Sequence, residues 1–158
     1  MDCFKSLKKI ELFRHLPDDD LRKVSSLCHE KHYAKNERIM EEGEAGDEVF
    51  FIPKWLVGID FRISEGNYIQ RVYHVMKGEV FGELALFGHK RTARVTALED
   101  IDLLFVSSQE LKHLMRGQPR IGYMMLSNLC TILADRLMIS NLTLREMMSK
   151  QSGFQFPA

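Results

Sequence analysis

The sequence predicts a mainly β fold with flanking helices. We expect an antiparallel β-roll (double-stranded jelly roll) with N-terminal helices before it and a long C-terminal helix after it. Two patterns carry this prediction. Short apolar or alternating runs, separated by glycines, fill the middle of the 158-residue chain. A stretch of about thirty residues near the end then runs without proline, and its only glycine lies at the start.

The composition is that of a soluble globular protein, with 45% hydrophobic and 28% charged residues. Basic and acidic residues both number 22, so the chain has no basic excess with which to hold a nucleic acid. The three cysteines lack the spacing of a disulfide frame or zinc site, which indicates a reduced, cytoplasmic protein. No signal peptide or membrane-spanning run is present, so we expect no membrane partner.

The chain reads as one domain over residues 1–158. N-terminal helices are expected over 1–32, the β-roll over 33–106 and C-terminal helices over 107–150. The tail, 151–158, is too short to be a module. At the N-terminus two short helices are predicted, with Pro17 at the first position of the second and three aspartates in its opening turn, where they suit the positive helix end.

Turn residues divide the β-roll. Glycines separate the apolar runs, and "SEGN" at 64–67 is a candidate hairpin turn. Pro53 cannot donate to a strand ladder, so with Trp55 it indicates an irregular strand end.

The long C-terminal helix carries two apolar stripes. One has the alternating spacing of a coiled-coil seam and predicts a homodimer, the alternative being burial against the roll of the same chain. Its members are Leu126, Cys130, Leu133, Leu137, Ser140, Leu144 and Met147. A second stripe is expected to pack on the roll and contains Leu129, Ile132, Arg136 and Ile139. The shorter helix before it is expected to begin at Ser107 or Ser108 as N-cap.

The stretch "FGELALFGHKRTARV" beginning at residue 81 carries the chemistry. Residues 83–87 can form one helical turn whose first amides have no helical partner and so form a small anion site. Gly82 lets a ligand approach, Glu83 suits a sugar hydroxyl, and Arg91 offers a planar fork for two phosphate oxygens with Thr92 beside it. The alternative is an ordinary surface salt bridge between Glu83 and Arg91, worth at most about 1 kcal/mol.

This stretch resembles the phosphate-binding cassette of the cyclic nucleotide-binding domains shared by Crp/Fnr-type regulators, protein kinase A regulatory subunits and gated channels. The upstream "ERIMEEGEAGDEVFFI" resembles the same family's strand-turn-strand, and the likeness covers roughly residues 4–150. It implies cAMP or cGMP as ligand, no further cofactor, and a regulatory rather than enzymatic role. The implied ligand contacts of the cassette, 81–94, are Phe81, Gly82, Glu83, Leu84, Ala85, Arg91, Thr92 and Ala93.

"DRLMISN" resembles the base-contacting part of the dimerisation helix in bacterial catabolite activator proteins. The resemblance implies that Ser140 and Asn141 reach an adenine amino group, one from each subunit, and that Arg136 belongs to the same site. These residues favour cAMP over cGMP, whereas Thr92 is compatible with both. Signalling would then pass through movement of the C-terminal helix.

Other functions stay open. One alternative is the effector-binding half of a Crp/Fnr-type transcription regulator, although no helix-turn-helix follows the long helix here, and another is a sensor with a degenerate pocket or a different ligand. A cupin-like enzyme requires converging His or Glu ligands, and no such set, and hence no metal site, is evident. A haem ligated by His74 is a remote alternative. Arg94 replaces a small residue of the family and is expected either to face solvent or to crowd the pocket.

Overall fold

The computed structural model describes residues 2–54, 56–62 and 69–152, and gives no side-chain placement at 56, 59–62, 69–74, 76, 151 and 152. The "SEGN" turn and Trp55 lie outside the described residues, as does the side chain of His74. One sheet has the order β1-β8-β3-β6, from β1 (His29–Tyr33), β8 (Ile101–Ser107), β3 (Glu48–Phe51) and β6 (Val80–Phe81). The second has the order β2-β7-β4-β5, from β2 (Arg38–Met40), β7 (Arg94–Ala97), β4 (Leu56–Arg62) and β5 (Ile69–Met76).

Helices flank these sheets, and every strand pair is antiparallel, which confirms the predicted fold class. The helices are α1 (Cys3–Leu7), α2 (Asp18–Ser25), α3 (Ser108–Gly117) and α4 (Pro119–Ser152), with 3₁₀ turns at Glu11–Phe13 and Glu83–Phe87. Pro17 is the N-cap of α2 rather than its first residue, and the three aspartates occupy the first turn as expected. Ser107 caps α3 by accepting hydrogen bonds from the amides of Gln109 and Glu110.

The first sheet is covered on both faces, because successive side chains of a strand point to opposite sides. Val49 and Phe51 pack against the helices, whereas Phe50 and Ile52 pack between the two sheets. A strand buried on both faces reads as a continuous apolar run, which explains "VFFI" in the sequence. β3 ends before Pro53, as expected from its missing amide donor.

The predicted start of the β-roll at residue 33 is wrong, because β1 begins at His29. Four of the five residues of β1 are exposed and only Tyr33 is buried, so the strand shows no alternating apolar pattern. It exists through backbone pairing with β8, from His29 opposite Phe105 to Tyr33 opposite Ile101.

Helix α4 is anchored by its first half. Ile121, Met125 and Leu129 are at most 2% exposed within the helix-side core. The side-chain amide of Asn128 donates to the carbonyl oxygens of Leu12 and Arg14, at 3.0 and 2.8 Å. Of the stripe predicted to pack on the roll, Leu129 is buried in this core and Ile132 is partly buried against it.

Beyond residue 136 the apolar side chains of α4 face solvent. Leu137, Leu144 and Met147 of the predicted seam are more than half exposed, whereas Leu133 is partly buried against the core. Ile139 is 60% exposed, so its predicted packing on the roll is wrong: the helix has left the roll by that turn. In the part of the chain that the structure describes, none of the helices has the length and hydropathy to cross a bilayer.

A buried carboxylate ties β2 to β7. Glu41, which follows β2, is 8% exposed, and Arg94 of the neighbouring strand donates from Nε to both of its carboxylate oxygens at 3.0 Å. Arg38 donates to the same carboxylate at 2.9 Å. The hydrogen bond from Arg94 lowers the pKa of Glu41 below its ordinary value, against the opposing effect of burial. Arg94 thus pairs across the strands and is only 28% exposed.

This lowered pKa makes stability depend on pH. Because the folded-state pKa of Glu41 lies below the unfolded value, its contribution is full above the ordinary carboxyl pKa of about 4.3 and is lost as the pH falls through the folded value. We expect Glu41→Gln to lose about 1 to 3 kcal/mol at neutral pH. The loss should shrink as the pH is lowered toward about 3, in thermal denaturation followed by circular dichroism.

The matched control is Glu44→Gln, which removes one charge from an exposed side chain three residues away. Its stability should follow the wild type at every pH. A Glu41→Gln variant as stable as the wild type at neutral pH would show that the carboxylate of Glu41 does not stabilise the fold.

Candidate functional site

The turn between β6 and β7 has the geometry predicted for the cassette. Gly82, with φ of 72°, precedes the 3₁₀ helix Glu83–Phe87, and Gly88, with φ of 76°, ends it. Both glycines are in the left-handed region, which side chains disfavour. The amide of Ala85 closes the turn by donating to the carbonyl oxygen of Gly82 at 3.2 Å. The expectation that the first amides of the turn are free is therefore wrong for Ala85. Among the described residues, the amides of Glu83 and Leu84 have no acceptor.

Arg91 is almost completely buried beside this turn. Its side chain is 4% exposed, and Nη1 donates to the carbonyl oxygen of Gly82 at 3.1 Å. Nη2 donates to the carbonyl oxygen of Glu48 at 2.9 Å and to its carboxylate Oε2 at 3.0 Å. The guanidinium also lies over the ring of Phe50, 5.9 Å from the ring centre. These contacts fix the position of the guanidinium.

Two glycines make room for the guanidinium. A Cβ at Gly46 would lie 2.4 Å from Nε of Arg91, and a Cβ at Gly82 would lie 2.6 Å from Nη1. Contacts this short are impossible without a shift of the arginine. Gly82, predicted from the sequence to let a ligand approach, therefore lets Arg91 pack against the main chain.

The acid of the cassette faces helix α4. Glu83 is 6% exposed, and its Oε1 lies 3.2 Å from Nη1 of Arg136. Nη2 of Arg136 donates to the carbonyl oxygen of Val80. The expected grouping of Glu83 with Arg136 is therefore present, and the pair joins α4 to the cassette. Glu83 does not pair with Arg91, so the predicted alternative of a salt bridge between those two residues is wrong.

A small pocket lies over the turn. The part of the pocket that is lined by described residues has a volume of about 30 Å³, which is enough for one or two water molecules. The lining residues are Met40, Gly82, Glu83, Leu84, Ala85, Lys90, Arg91 and Thr92. Six of these were predicted as ligand contacts, so the cassette converges as expected.

Four predicted contacts lie elsewhere. Phe81 and Ala93 are buried between the sheets, where Phe81 stacks on Phe50 with ring centres 4.9 Å apart, so they support the pocket from behind. Ser140 and Asn141 are exposed on α4, beyond Arg136. Asn141 lines a groove on the helix surface rather than the cassette pocket.

Four neighbours of the site were missed from the sequence. Met40 and Lys90 line the pocket, while Gly46 and Glu48 contact Arg91. Lys90 stands next to the arginine in the sequence and its charge was a usable signal. The others lie in β2, in β3 and in the turn between them, more than forty residues away, and no local pattern links them to Arg91.

Glu48 and Gly46 flank Asp47, which binds the serines at the start of helix α3. The carboxylate oxygens of Asp47 accept hydrogen bonds from the hydroxyls of Ser107 and Ser108. Burial raises the pKa of Asp47, but the hydrogen bonds from the two serines outweigh it and the net direction is down. The turn that holds Arg91 therefore also fixes the start of α3.

Comparison with known proteins agrees with this geometry. The family model of the cyclic nucleotide-binding domain matches residues 30–118, which include the whole cassette. A cGMP-dependent protein kinase of Drosophila melanogaster, isozyme 2 forms cD5/T2, is 33% identical over 120 residues. The match covers 74% of this chain and 13% of the kinase, so the chain spans about an eighth of that relative.

Solved structures share the fold. A cyclic nucleotide-binding domain from Methylobacillus flagellatus superposes with a TM-score of 0.80 at 23% identity, covering 92% of this chain and 82% of that one. The catabolite activator protein of Thermus thermophilus superposes with a TM-score of 0.74 at 25% identity, covering 87% and 63%. The matched segment, the cassette and the two-sheet roll agree, and the chain belongs to the cyclic nucleotide-binding domain family.

Proposed function

We propose that this regulatory domain binds cAMP in its cassette and passes the binding event on through helix α4. The observation that carries the proposal is the burial of Arg91 beside a turn with two open amides. A phosphate diester at this place would accept from the amides of Glu83 and Leu84 and from the guanidinium. The ribose hydroxyl would donate to the carboxylate of Glu83.

Helix α4 takes part because its Arg136 already holds Glu83. A ribose hydroxyl at Glu83 would change the environment of the Arg136 pair and so favour one position of α4 over another. A ligand shifts a helix only through such a difference in contacts between the two positions.

The first prediction concerns Arg91. Replacing it by alanine removes a charged partner of the phosphate, so Arg91→Ala should weaken cAMP binding about a hundredfold or more, measured by titration calorimetry. Arg116→Ala, which removes an equal charge from an exposed position on α3, is the matched control and should bind like the wild type. Unchanged affinity in Arg91→Ala would rule out the cassette as the phosphate site, and a wild type that binds neither nucleotide would favour a degenerate pocket.

cGMP is the second candidate ligand. Thr92 is exposed at the pocket next to Arg91, where its hydroxyl can meet a guanine amino group, and the Drosophila relative is named for cGMP. Ser140 and Asn141 favour cAMP, since their polar groups suit an adenine amino group across a dimer.

Titration with both nucleotides distinguishes these ligands. We expect cAMP to bind more tightly than cGMP, and Thr92→Ala to leave cAMP affinity within about twofold, because a single exposed hydroxyl contributes little. If cGMP binds more tightly and Thr92→Ala removes that preference, the domain is a cGMP sensor. Thr96→Ala, a partly exposed threonine of β7, serves as the control for losing a hydroxyl.

We further propose that the domain forms a homodimer through the exposed half of α4 in the cytoplasm, where its three free cysteines would stay reduced. Leu137, Leu144 and Met147 lie at coiled-coil spacing and are more than half exposed. Such a dimer would bring Ser140 and Asn141 of one protomer toward the ligand of the other.

This dimer links assembly to ligand binding. Leu137→Glu should sediment as a monomer and bind cAMP more weakly, and cAMP should strengthen the wild-type dimer, because coupling between two binding events is reciprocal. Met138→Glu, an equally exposed neighbour outside the seam, is the control and should still dimerise. A wild type that stays monomeric in analytical ultracentrifugation at every ligand concentration would exclude this arrangement. The effector half of a transcription regulator is the alternative role, and the coding sequence that adjoins this chain decides it.

A further inference from the structure

The phosphate arginine is not free in this structure, because Glu48 holds it. Glu48 accepts from Nη2 of Arg91 at two oxygens, its carbonyl at 2.9 Å and its carboxylate at 3.0 Å. Nη2 has two hydrogens, so its donor capacity is fully used. Nη1 has one further acceptor, the carbonyl oxygen of Gly82.

This arrangement matters because of how a guanidinium binds an anion. It holds two oxygens of one phosphate either through Nε with Nη2 or through Nη1 with Nη2. Both pairs include Nη2. A phosphate that binds Arg91 through either pair therefore takes a hydrogen bond that Glu48 now receives.

The two oxygens of Glu48 that accept from Arg91 differ in how easily they can move away from it. The carbonyl oxygen belongs to β3 and stays with the strand. The side chain is 48% exposed, so its carboxylate can turn into water at little cost, while the side chain of Arg91 is 4% exposed and has no comparable freedom. A carboxylate that stayed in place would also repel the phosphate.

We propose that the carboxylate of Glu48 is an internal competitor for Arg91, which leaves when the nucleotide phosphate binds and thereby sets the affinity of the site. This inference rests on the proposed binding of a cyclic nucleotide in the cassette. It assigns Glu48 a role in affinity that opposes ligand binding.

The competing explanation is that Glu48 positions Arg91 for the ligand. The two roles have opposite signs. If Glu48 positions the arginine, loss of its charge weakens nucleotide binding. If Glu48 competes, loss of its charge strengthens binding, because Gly82 and the Glu48 carbonyl oxygen still hold the guanidinium in place.

Titration calorimetry with cAMP and with cGMP on four proteins tests the proposal. Glu48→Gln keeps the shape of the side chain and Glu48→Ala removes it. Both should bind about two- to fivefold more tightly than the wild type, the worth of a half-exposed ion pair. Glu44→Gln removes an equal charge from the same turn, where only the main chain contacts Arg91, and should bind like the wild type.

Thermal denaturation without ligand shows that each variant is folded, and the isosteric glutamine variant keeps the test valid should the alanine variant be unstable. Equal or weaker binding by a folded Glu48→Gln overturns the proposal and leaves the proposed function standing. Equal tightening by Glu44→Gln also overturns it, because net charge would then explain the effect. Nucleotide binding that is detected for Glu48→Gln but not for the wild type also supports the proposal. The absence of binding by every protein, wild type included, overturns both proposals.

Discussion

The packing of one guanidinium against the main chain determines the geometry of this site. Arg91 lies where a side chain at Gly46 or Gly82 would stand, and it donates to carbonyl oxygens of Gly82 and Glu48. A buried ion without such partners would cost several kcal/mol by the usual order of magnitude. Main-chain acceptors and the carboxylate of Glu48 offset that cost. The position of the arginine therefore depends on two strands, β3 and β6, being correctly paired.

The segment 46–48, which contacts Arg91, also connects the site to the helices. Asp47 lies between the two residues that contact Arg91, and the amide of Ser108 donates to its carbonyl oxygen at 2.7 Å while its carboxylate accepts from two serine hydroxyls. α3 begins at that point and packs on α4. Arg136 of α4 returns to the cassette through Glu83. Arg91, Glu83 and both C-terminal helices are thus connected through polar contacts and through the packing of α3 on α4.

Whether a feature could be predicted from the sequence depends on how far apart in the chain its interacting residues lie. The cassette turn, its two glycines and the N-cap at Ser107 depend on neighbours within a few residues, and they were correct. The contact of Arg91 with Glu48 spans 43 residues, and that of Arg136 with Val80 spans 56, so no periodicity encodes them. β1 was missed because four of its five side chains are exposed, so the strand has no alternating apolar pattern. Phe81 was assigned to the ligand because it begins the motif, although strand alternation turns its ring into the core.

The charge balance of the site bears on how its two carboxylates, Glu48 and Glu83, would respond to a bound anion. Two arginines and two glutamates pair within it, Arg91 with Glu48 and Arg136 with Glu83, so these four groups have no net charge. A cyclic phosphate adds one negative charge, and a buried cluster tolerates an excess charge poorly. Lys90, which lines the pocket, offers one compensating positive charge, and the departure of one carboxylate would offer another. Glu83, with its side chain 8% exposed, lies 3.2 Å from Arg136 and, in the proposed binding mode, would accept from a ribose hydroxyl without moving. Glu48, with its side chain 48% exposed, can return to water, which is why we propose it, rather than Glu83, as the carboxylate that leaves.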